Sequence, residues 1–424
     1  MAKLALLGGK PVFNPQHHWP RWPVASRADE RRVLDVIRGG VWGLDSPVTV
    51  EFARKFGAYL GAKHVLPVAN GTAALELAVK ALGIVPGDEV IVPASTFVAT
   101  ATAALQMGAT VVFADIDPDT FTIDPRDVAR RITPRTRAII PVHLYGNPCD
   151  MAALGALARK HGLDIIEDSA HAHGMFYRGK AAGTMGKAGC FSFQTSKNMT
   201  SGEGGALVTN NTDLYNLAHS FHSFGRRPGH PWYEHSYLSA NERITALHSA
   251  LLIGQLERLE EQTVRRLKNG DFLNQALARI PGVHPQKTTD TRRGTRRAFH
   301  IYSWRHDPEA TGMDVLLFLD ALKAEGVTGF GGYGGTLQEN PMFQENRFWH
   351  WQFLGGKPKQ KGQPDYRKAI TPVAKQLACK TVNLVQPILL GTRRDMQGIV
   401  DAVAKVIENA DEARRFKKPT GKNR

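Results

Sequence analysis

The 424-residue sequence predicts an α/β protein with a mainly parallel sheet and a smaller C-terminal α/β lobe. Two patterns support this fold class. Between about residues 64 and 210, short β-branched runs alternate with helical segments, as in proteins with parallel sheets. Near residue 245 a long helical pattern begins, apolar on one face and charged on the other, and such helices often link lobes or build subunit interfaces.

The individual elements follow from these patterns. Helices between the strands each end on glycine, a common helix C-terminus, and are expected at 72–83, 97–108 and 151–162. The strands are expected at 89–94, 110–116, 137–144, 163–169, 189–194 and 205–210. The smaller lobe is predicted from the runs 298–307, 313–326 and 396–416, and 331–365 is predicted to be a long loop. We therefore expect a large domain at 1–255 and, at 256–424, the linking helix and the smaller domain.

Composition and charge narrow the class of protein. The chain is 42% hydrophobic and 22% charged, which is ordinary for a soluble globular protein. No stretch approaches the roughly 18 apolar residues of a membrane span, so we expect a cytoplasmic protein without membrane contact. The net charge of +15 attracts anions, but much of it lies in local runs and the C-terminal tail. No motif in the sequence supports nucleic-acid binding.

Side chains with distinctive chemistry follow successive predicted strands. Asp168 closes the apolar run 163–168, and Lys197 follows the run 189–194. Gly71 and Thr72 open a helix whose free N–H groups can bind phosphate, and Phe97 follows another strand. A pyridoxal 5'-phosphate (PLP) enzyme needs such a lysine, a carboxylate for the pyridine nitrogen, a phosphate site and a flat ring neighbour. The combination predicts a PLP site.

Each of these residues alone also fits an ordinary structural role. Asp168 could cap a turn, Phe97 could be a core residue, and an isolated lysine in a loop is usually a surface residue. His171 and His173 could be metal ligands, but the sequence offers no third ligand at a suitable spacing, so no metal site is predicted. The PLP interpretation therefore depends on the residues occurring together.

Longer motifs resemble those of a known family. They are ANGTAALELA, GDEVIVPASTFVATATA, PVHLYGNPCDM, IIEDSAHAHG and CFSFQTSKNMTSGEGGALVTN. With them the chain resembles, over nearly its whole length, the DegT/StrS family of sugar and cyclitol aminotransferases. The resemblance implies the fold-type I architecture of PLP-dependent transferases, with a mainly parallel sheet of the seven-stranded type.

The resemblance also implies a role for each matching residue. Lys197 matches the lysine that forms the Schiff base with PLP, and Asp168 matches the partner of the pyridine nitrogen. Asn241 matches an asparagine that reaches the phosphate of a neighbouring subunit, which implies a homodimer with two shared active sites. The other cofactor-binding positions are the phosphate contacts Gly71, Thr72 and Ser192 and the ring-stacking Phe97.

Three positions depart from the family pattern. His171 stands where many relatives carry a glutamine that contacts the phenolic oxygen of the cofactor. Ser239 replaces a glycine, and Gly334 replaces a proline in the late segment GGYGGTLQENPMF. His171 is retained as a cofactor-binding residue, and the substrate assignment rests on weaker motifs than the chemistry.

Within the family, the motifs look most like the cyclitol branch, which includes glutamine:scyllo-inosose aminotransferases and 3-amino-5-hydroxybenzoate synthases. We expect a keto-cyclitol or keto-sugar as amino acceptor and glutamine or glutamate as donor, in secondary-metabolite or amino-sugar biosynthesis. A nucleotide-linked keto-sugar is the alternative that the basic surface favours. Lys197 argues against a sugar dehydratase, and Lys197 with Asp168 argues against a non-catalytic regulatory relative.

Overall fold

A computed structural model describes residues 3–43, 46–348 and 365–415 of the chain. Strands in these ranges are β1 (His64–Val68), β2 (Glu89–Pro93), β3 (Thr110–Ala114), β4 (Thr136–Ile139), β5 (Asp164–Asp168), β6 (Phe176–Tyr177), β7 (Lys180–Ala181), β8 (Ala188–Ser192), β9 (Gly205–Thr209), β10 (Val283–Pro285), β11 (Ile301–His306), β12 (Phe330–Gly331) and β13 (Thr381–Val385).

The helices alternate with the strands in the first half of the chain. They are α1 (Arg27–Gly39), α2 (Pro47–Leu60), α3 (Gly71–Ala81), α4 (Ala99–Gln106), α5 (Pro125–Arg131), α6 (Met151–His161), α7 (Thr212–His222), α8 (Ala246–Leu277), α9 (Pro308–Thr311), α10 (Val315–Ala324), α11 (Pro341–Gln344), α12 (Pro372–Lys380), α13 (Arg393–Glu408) and α14 (Ala410–Arg414). Short 3-10 turns lie at Ala5–Leu7, Leu144–Gly146, Leu337–Glu339, Tyr366–Lys368 and Gln386–Leu390.

The large lobe is built on a seven-stranded sheet with the order β1-β9-β8-β5-β4-β2-β3. The pairs β2–β3, β2–β4, β4–β5 and β5–β8 are parallel, whereas β9 runs antiparallel to both β8 and β1. The smaller sheet, β10-β11-β13-β12, is antiparallel. This architecture confirms the predicted fold class.

Predicted strands and helices of the large lobe agree with the structure within a few residues, with one clear difference. The run 137–144 was expected to be a single strand, but β4 ends at Ile139. Pro141 has no N–H to donate to a ladder, and its carbonyl oxygen accepts a hydrogen bond from the Asp168 N–H at 2.9 Å. The regular ladder is therefore interrupted at this proline, and beyond it the chain keeps a single parallel bridge between Val142 and Asp168.

Helix α8 connects the two lobes. Leu252, Ile253 and Leu259 in its first half belong to a large-lobe apolar cluster, whereas Leu273 and Leu277 belong to the cluster that contains β11 and β13 residues. The predicted boundary between residues 255 and 256 falls inside this helix. One continuous helix thus packs into both cores, and the division into 1–255 and 256–424 stays a prediction.

The segment 331–365, predicted to be a long loop, is more ordered where it is described. It contains a 3-10 turn and the short helix α11, and residues 349–364 lie outside the described residues. Phe343 and Tyr366 pack edge-on against Phe113 of β3, with ring centroids 4.9 and 5.6 Å apart. The chain therefore returns to the large lobe here. No helix in the described ranges is long and apolar enough to cross a membrane.

Glu167, in β5, is a buried carboxylate that organises the centre of the sheet. It accepts hydrogen bonds from the N–H groups of Met185 and Gly186 at 2.6 Å, from that of Gly183 at 2.9 Å, and from His143 Nε2 at 3.0 Å. His143 Nδ1 accepts from a backbone N–H, which assigns the ring proton to Nε2. Glu167 thus joins β5 to the turn that leads into β8.

Glu167→Ala should lower the free energy of unfolding by about 3 kcal/mol or more, because three backbone N–H groups and one imidazole would lose their acceptor inside the protein. Glu167→Gln, which keeps one acceptor oxygen, should cost less. The measurement is urea unfolding followed by circular dichroism. Glu257→Ala, which breaks an exposed ion pair with Arg32, is the control and should cost at most about 1 kcal/mol. Equal losses in the Glu167→Ala and Glu257→Ala variants would contradict this role.

Candidate active site

A cavity of about 920 Å³ lies beside the carboxyl ends of β5 and β8, where parallel sheets commonly bind ligands. The structure brings every predicted site residue to its wall. They are Gly71, Thr72, Phe97, Asp168, His171, Ser192, Lys197 and Asn241.

Asp168 is the last residue of β5 and its side chain is buried. Thr100 Oγ1 donates a hydrogen bond to Asp168 Oδ2 at 2.8 Å, and the Ala170 N–H donates to Oδ1 at 3.2 Å. Burial raises the pKa of Asp168, while these donors and the nearby Lys197 amine favour the ionised form. A cation bound against Asp168 would supply the stabilisation that water supplies to an exposed carboxylate.

Lys197 follows β8 in a turn, where its N–H donates to the Gln194 carbonyl oxygen at 2.9 Å. Burial lowers the pKa of Lys197 to about 8, and the Asp168 carboxylate acts in the opposite direction. Within the described part of the chain, Lys197 Nζ makes no hydrogen bond. A lysine with this environment is deprotonated much more often near neutral pH than an exposed lysine, which suits a nucleophile.

The start of α3 forms an anion site at the same cavity. The Asn70 side chain caps the helix by accepting from the Ala73 N–H at 2.8 Å, whereas the N–H groups of Gly71 and Thr72 have no partner inside the helix. A β-carbon on Gly71 would lie 2.7 Å from the β-carbon of Ser192. Glycine therefore allows the Ser192 hydroxyl and the positive end of α3 to meet, which favours phosphate binding.

Phe97 and Asn241 lie on the accessible part of the cavity wall. Phe97 follows β2 and is 60% exposed, so it is not a core residue. Asn241 is also exposed and lies on a backbone bridge with Ser223. In one chain Asn241 already lines the same cavity as Lys197. Its predicted reach to a neighbouring subunit stays a prediction.

His171 lines the cavity but is otherwise buried. Its Nδ1 accepts a hydrogen bond from the Tyr145 N–H at 3.3 Å. Burial, the Lys197 amine and His173 hold the pKa of His171 well below its usual range, so the ring is neutral. Since Nδ1 accepts, the proton of the neutral ring is on Nε2. His171 thus has one N–H to donate, as the glutamine of many relatives does.

Sequence reasoning missed several residues of this site. Thr100 could have been found, since it is the second residue of the helix that follows β2, at the edge of the sheet where Asp168 was expected, and its hydroxyl oxygen lies 3.1 Å from that of Thr96 in the preceding turn. Glu76 and Glu242 also line the cavity, and burial, with Glu76 nearby, raises the pKa of Glu242 to about 7. His300, packed on His171, gave no local signal because it is far away in the sequence.

The residues of the cavity fit the cofactor predicted from the sequence. The helix start beside Ser192 supplies neutral phosphate donors, and the buried Asp168 carboxylate lacks a full counterion without a cationic ring nitrogen. The Lys197 amine is available for an aldehyde, and Phe97 offers an exposed flat surface. Each of these features matches one group of PLP: the phosphate, the ring nitrogen, the aldehyde and the face of the ring.

The fold is that of fold-type I enzymes, and its cavity contains the buried amine of Lys197. The sequence pattern of the DegT/DnrJ/EryC1/StrS aminotransferase family matches residues 24–350. The chain belongs to this family, which confirms the resemblance seen in its motifs, and it is an aminotransferase.

Two curated relatives align with almost the whole chain. A candidate L-glutamine:3-amino-2,3-dideoxy-scyllo-inosose aminotransferase of Streptoalloteichus tenebrarius is 38% identical over 97% of this chain and 100% of its own. The L-glutamine:2-deoxy-scyllo-inosose aminotransferase of Streptomyces paromomycinus is 36% identical, over 96% and 98%. Among solved structures, 3-amino-5-hydroxybenzoic acid synthase aligns with a TM-score of 0.82 at 32% identity, covering 92% of this chain and 99% of its own.

Thr100→Val should raise the pKa of Asp168 further, because the hydroxyl that donates to the ionised carboxylate is lost. The check is a carboxyl ¹³C NMR titration of cofactor-free protein labelled at aspartate. Thr102→Val is the matched control, since its hydroxyl lies on the same helix and donates to the Ala99 carbonyl oxygen at 3.3 Å. A Thr100→Val midpoint at or below that of the wild type would refute the contact's role.

Proposed function

We propose that this aminotransferase uses PLP to move an amino group from glutamine or glutamate to a keto-cyclitol. The observation that carries the proposal is the meeting of Lys197, Asp168 and the start of α3 at one cavity. We also propose a role in secondary-metabolite biosynthesis. The cytoplasmic location expected from the sequence stays a prediction.

In this proposal each residue binds a different part of the cofactor. The N–H groups of Gly71 and Thr72 and the Ser192 hydroxyl hold the phosphate, and Asp168 keeps a proton on the pyridine nitrogen. Phe97 lies against the ring, and the neutral His171 donates its N–H. When bound, PLP supplies an electron sink for the negative charge left when a carbon beside nitrogen loses its proton.

Lys197 has two tasks in the proposal. Its amine would hold the cofactor covalently. Once free again, Lys197 Nζ would take up the proton that the α-carbon of the amino donor loses. In the return half-reaction it would deliver a proton to the acceptor carbon that becomes the amine-bearing carbon. A pKa of about 8 suits both directions, because the amine can hold or release a proton near neutral pH.

The substrate assignment draws on the names of the relatives and on the charge of the cavity. Those names specify L-glutamine as donor and a scyllo-inosose derivative as acceptor. The titratable residues that line the cavity include four acidic residues, Glu76, Asp168, Glu203 and Glu242, of which Glu242 has a pKa of about 7, and the Lys197 amine. Such a lining favours a polyhydroxylated or amine-bearing ketone and disfavours the additional phosphates of a nucleotide-linked sugar.

The first test follows the visible absorbance of the purified protein with PLP. Glutamine should remove the visible band as the cofactor takes up the amino group, and 2-deoxy-scyllo-inosose or its 3-amino derivative should restore it. A nucleotide-linked keto-sugar, added in parallel, should not. Restoration only by the nucleotide-linked sugar would replace the proposed acceptor.

Lys197→Ala provides the control for the same experiment. The variant should show neither the visible band nor amino transfer, because the amine is absent. Ser196→Ala, a neighbouring substitution in the same turn, should keep the band. A coloured and active Lys197→Ala protein would rule out the assignment of this lysine.

We further propose that the enzyme is a homodimer with shared sites. Leu34 and Ile37 of α1, with Trp42 just after it, are 44%, 46% and 52% exposed, and Leu238, near Asn241, is 92% exposed. Exposed apolar side chains that cluster on one helix and around a site are typical of a surface covered by a partner. The proposed partner is a second copy of this chain.

Mixed dimers test whether Asn241 acts across the interface. Lys197→Ala and Asn241→Ala homodimers should each be inactive or strongly impaired. If Asn241 serves the partner's site, a hybrid of the two variants contains one intact site and should regain up to about half the wild-type activity per dimer. Tagged hybrids purified by two affinity steps provide the material. No recovery in such hybrids would show that Asn241 acts within its own chain.

A further inference from the structure

His300 lies just before β11, outside the cavity wall, and is 4% exposed. Its ring packs on that of His171 with a centroid distance of 4.2 Å and an angle of 30° between the planes. Through this contact the segment that leads into the smaller sheet reaches the side chain of His171.

Two hydrogen bonds hold His300 in place. Its N–H donates to the Tyr145 carbonyl oxygen at 3.1 Å, and Nδ1 lies 3.2 Å from Asn198 Oδ1. The Asn198 amide group donates to the Ala298 carbonyl oxygen at 2.8 Å, so Oδ1 is an acceptor and His300 Nδ1 carries the proton. Asn198 directly follows Lys197. His300 is therefore fixed to the turn that bears the reactive amine.

Tyr145 connects the two histidines from the other side. Its N–H donates to His171 Nδ1 while its carbonyl oxygen accepts from the backbone N–H of His300, so Tyr145 orients the His171 ring and fixes the backbone that carries the His300 ring. Tyr145 has φ +60°, a left-handed conformation that non-glycine residues rarely adopt. Strained backbone of this kind is retained where surrounding contacts require it, often at functional sites.

Both rings are neutral. Burial, with His171 and Lys197 nearby, holds the pKa of His300 well below its usual range, as burial and Lys197 do for His171. Two neutral rings can stack closely without charge repulsion. The stacked His300 ring leaves the His171 ring little room to rotate by 180°. His171 Nδ1 therefore keeps its hydrogen bond from the Tyr145 N–H, and the Nε2–H remains available for the ligand.

We propose that His300 is a positioning residue that keeps His171 in the Nε2–H form with that N–H free for an acceptor on the ligand. The proposal rests on the proposed function only for the identity of that ligand. His300 itself touches neither cofactor nor substrate. Its effect on binding passes through His171.

The test compares matched substitutions at two buried histidines. His300→Leu removes the flat ring and the donor to Asn198 while keeping an apolar side chain of similar size. If that variant does not fold, His300→Asn replaces it, because it keeps a donor near Asn198 and loses only the ring. The control is His306→Leu at the end of β11, where a buried histidine contacts the Met313 carbonyl oxygen at 2.9 Å and Phe318.

The first readout needs no cofactor. In protein labelled with ¹⁵N-histidine, ring ¹⁵N shifts report which nitrogen carries the proton, and His171→Ala identifies the His171 signals. Wild type and His306→Leu should show the Nε2–H form of His171, and the His300 variant should show a mixture of both forms. An Nδ1–H form in wild type, or an unchanged His171 signal in the His300 variant, would overturn the proposal.

The second readout is the dissociation constant for PLP in a double-mutant cycle. His300→Leu should weaken binding about tenfold, the effect of losing one well-oriented hydrogen bond to a charged acceptor. In a His171→Ala background the same substitution should change binding less than about twofold. Equal weakening in both backgrounds would mean that His300 acts independently of His171. Absence of PLP binding in wild type would instead refute the proposed function, while the ¹⁵N experiment would still decide the role of His300.

Discussion

The alternation of side chains along β5 is the constraint on which the centre of this enzyme depends. Successive residues of a strand face opposite sides of the sheet, so the adjacent carboxylates Glu167 and Asp168 point to different environments. Glu167 is enclosed by backbone donors and holds the turn before β8. Asp168 faces the cavity and has fewer donors. One strand end therefore anchors the sheet and supplies the polar group of the site.

Burial controls the protonation of the site. The same exclusion of water that raises the pKa of Asp168 lowers that of Lys197 and keeps His171 and His300 neutral. The two neutral imidazoles can lie close to the Lys197 amine, which with a pKa of about 8 is still mostly protonated at pH 7, because they add no second positive charge. The net charge of +15 is a property of the whole chain, whereas the charged lining of the cavity is mostly acidic.

Much of the site could be predicted because its residues lie at the ends of consecutive elements. The carboxyl ends of parallel strands meet at one edge of a sheet, so strand order alone brings Asp168, Lys197 and the start of α3 together. The antiparallel β9 and the early end of β4 at Ile139 were not predicted, since both depend on pairing partners rather than on local pattern. The short helix within 331–365 was missed because its apolar side chains are few and gain their stability from Phe113.

The sequence by itself determined the fold class, the order of the elements and the strand-end positions of Lys197 and Asp168, because hydrophobic period and strand-end chemistry are local properties. Only the tertiary structure decided which residues hydrogen-bond to Asp168 and to the turn that carries Lys197. Thr100 forms a hydrogen bond with Asp168, 68 positions away in the sequence, and Asn198 with His300, 102 positions away. No local pattern encodes contacts at such sequence separations. The pKa values of these groups were likewise decided in three dimensions, because burial depends on every element packed around the cavity.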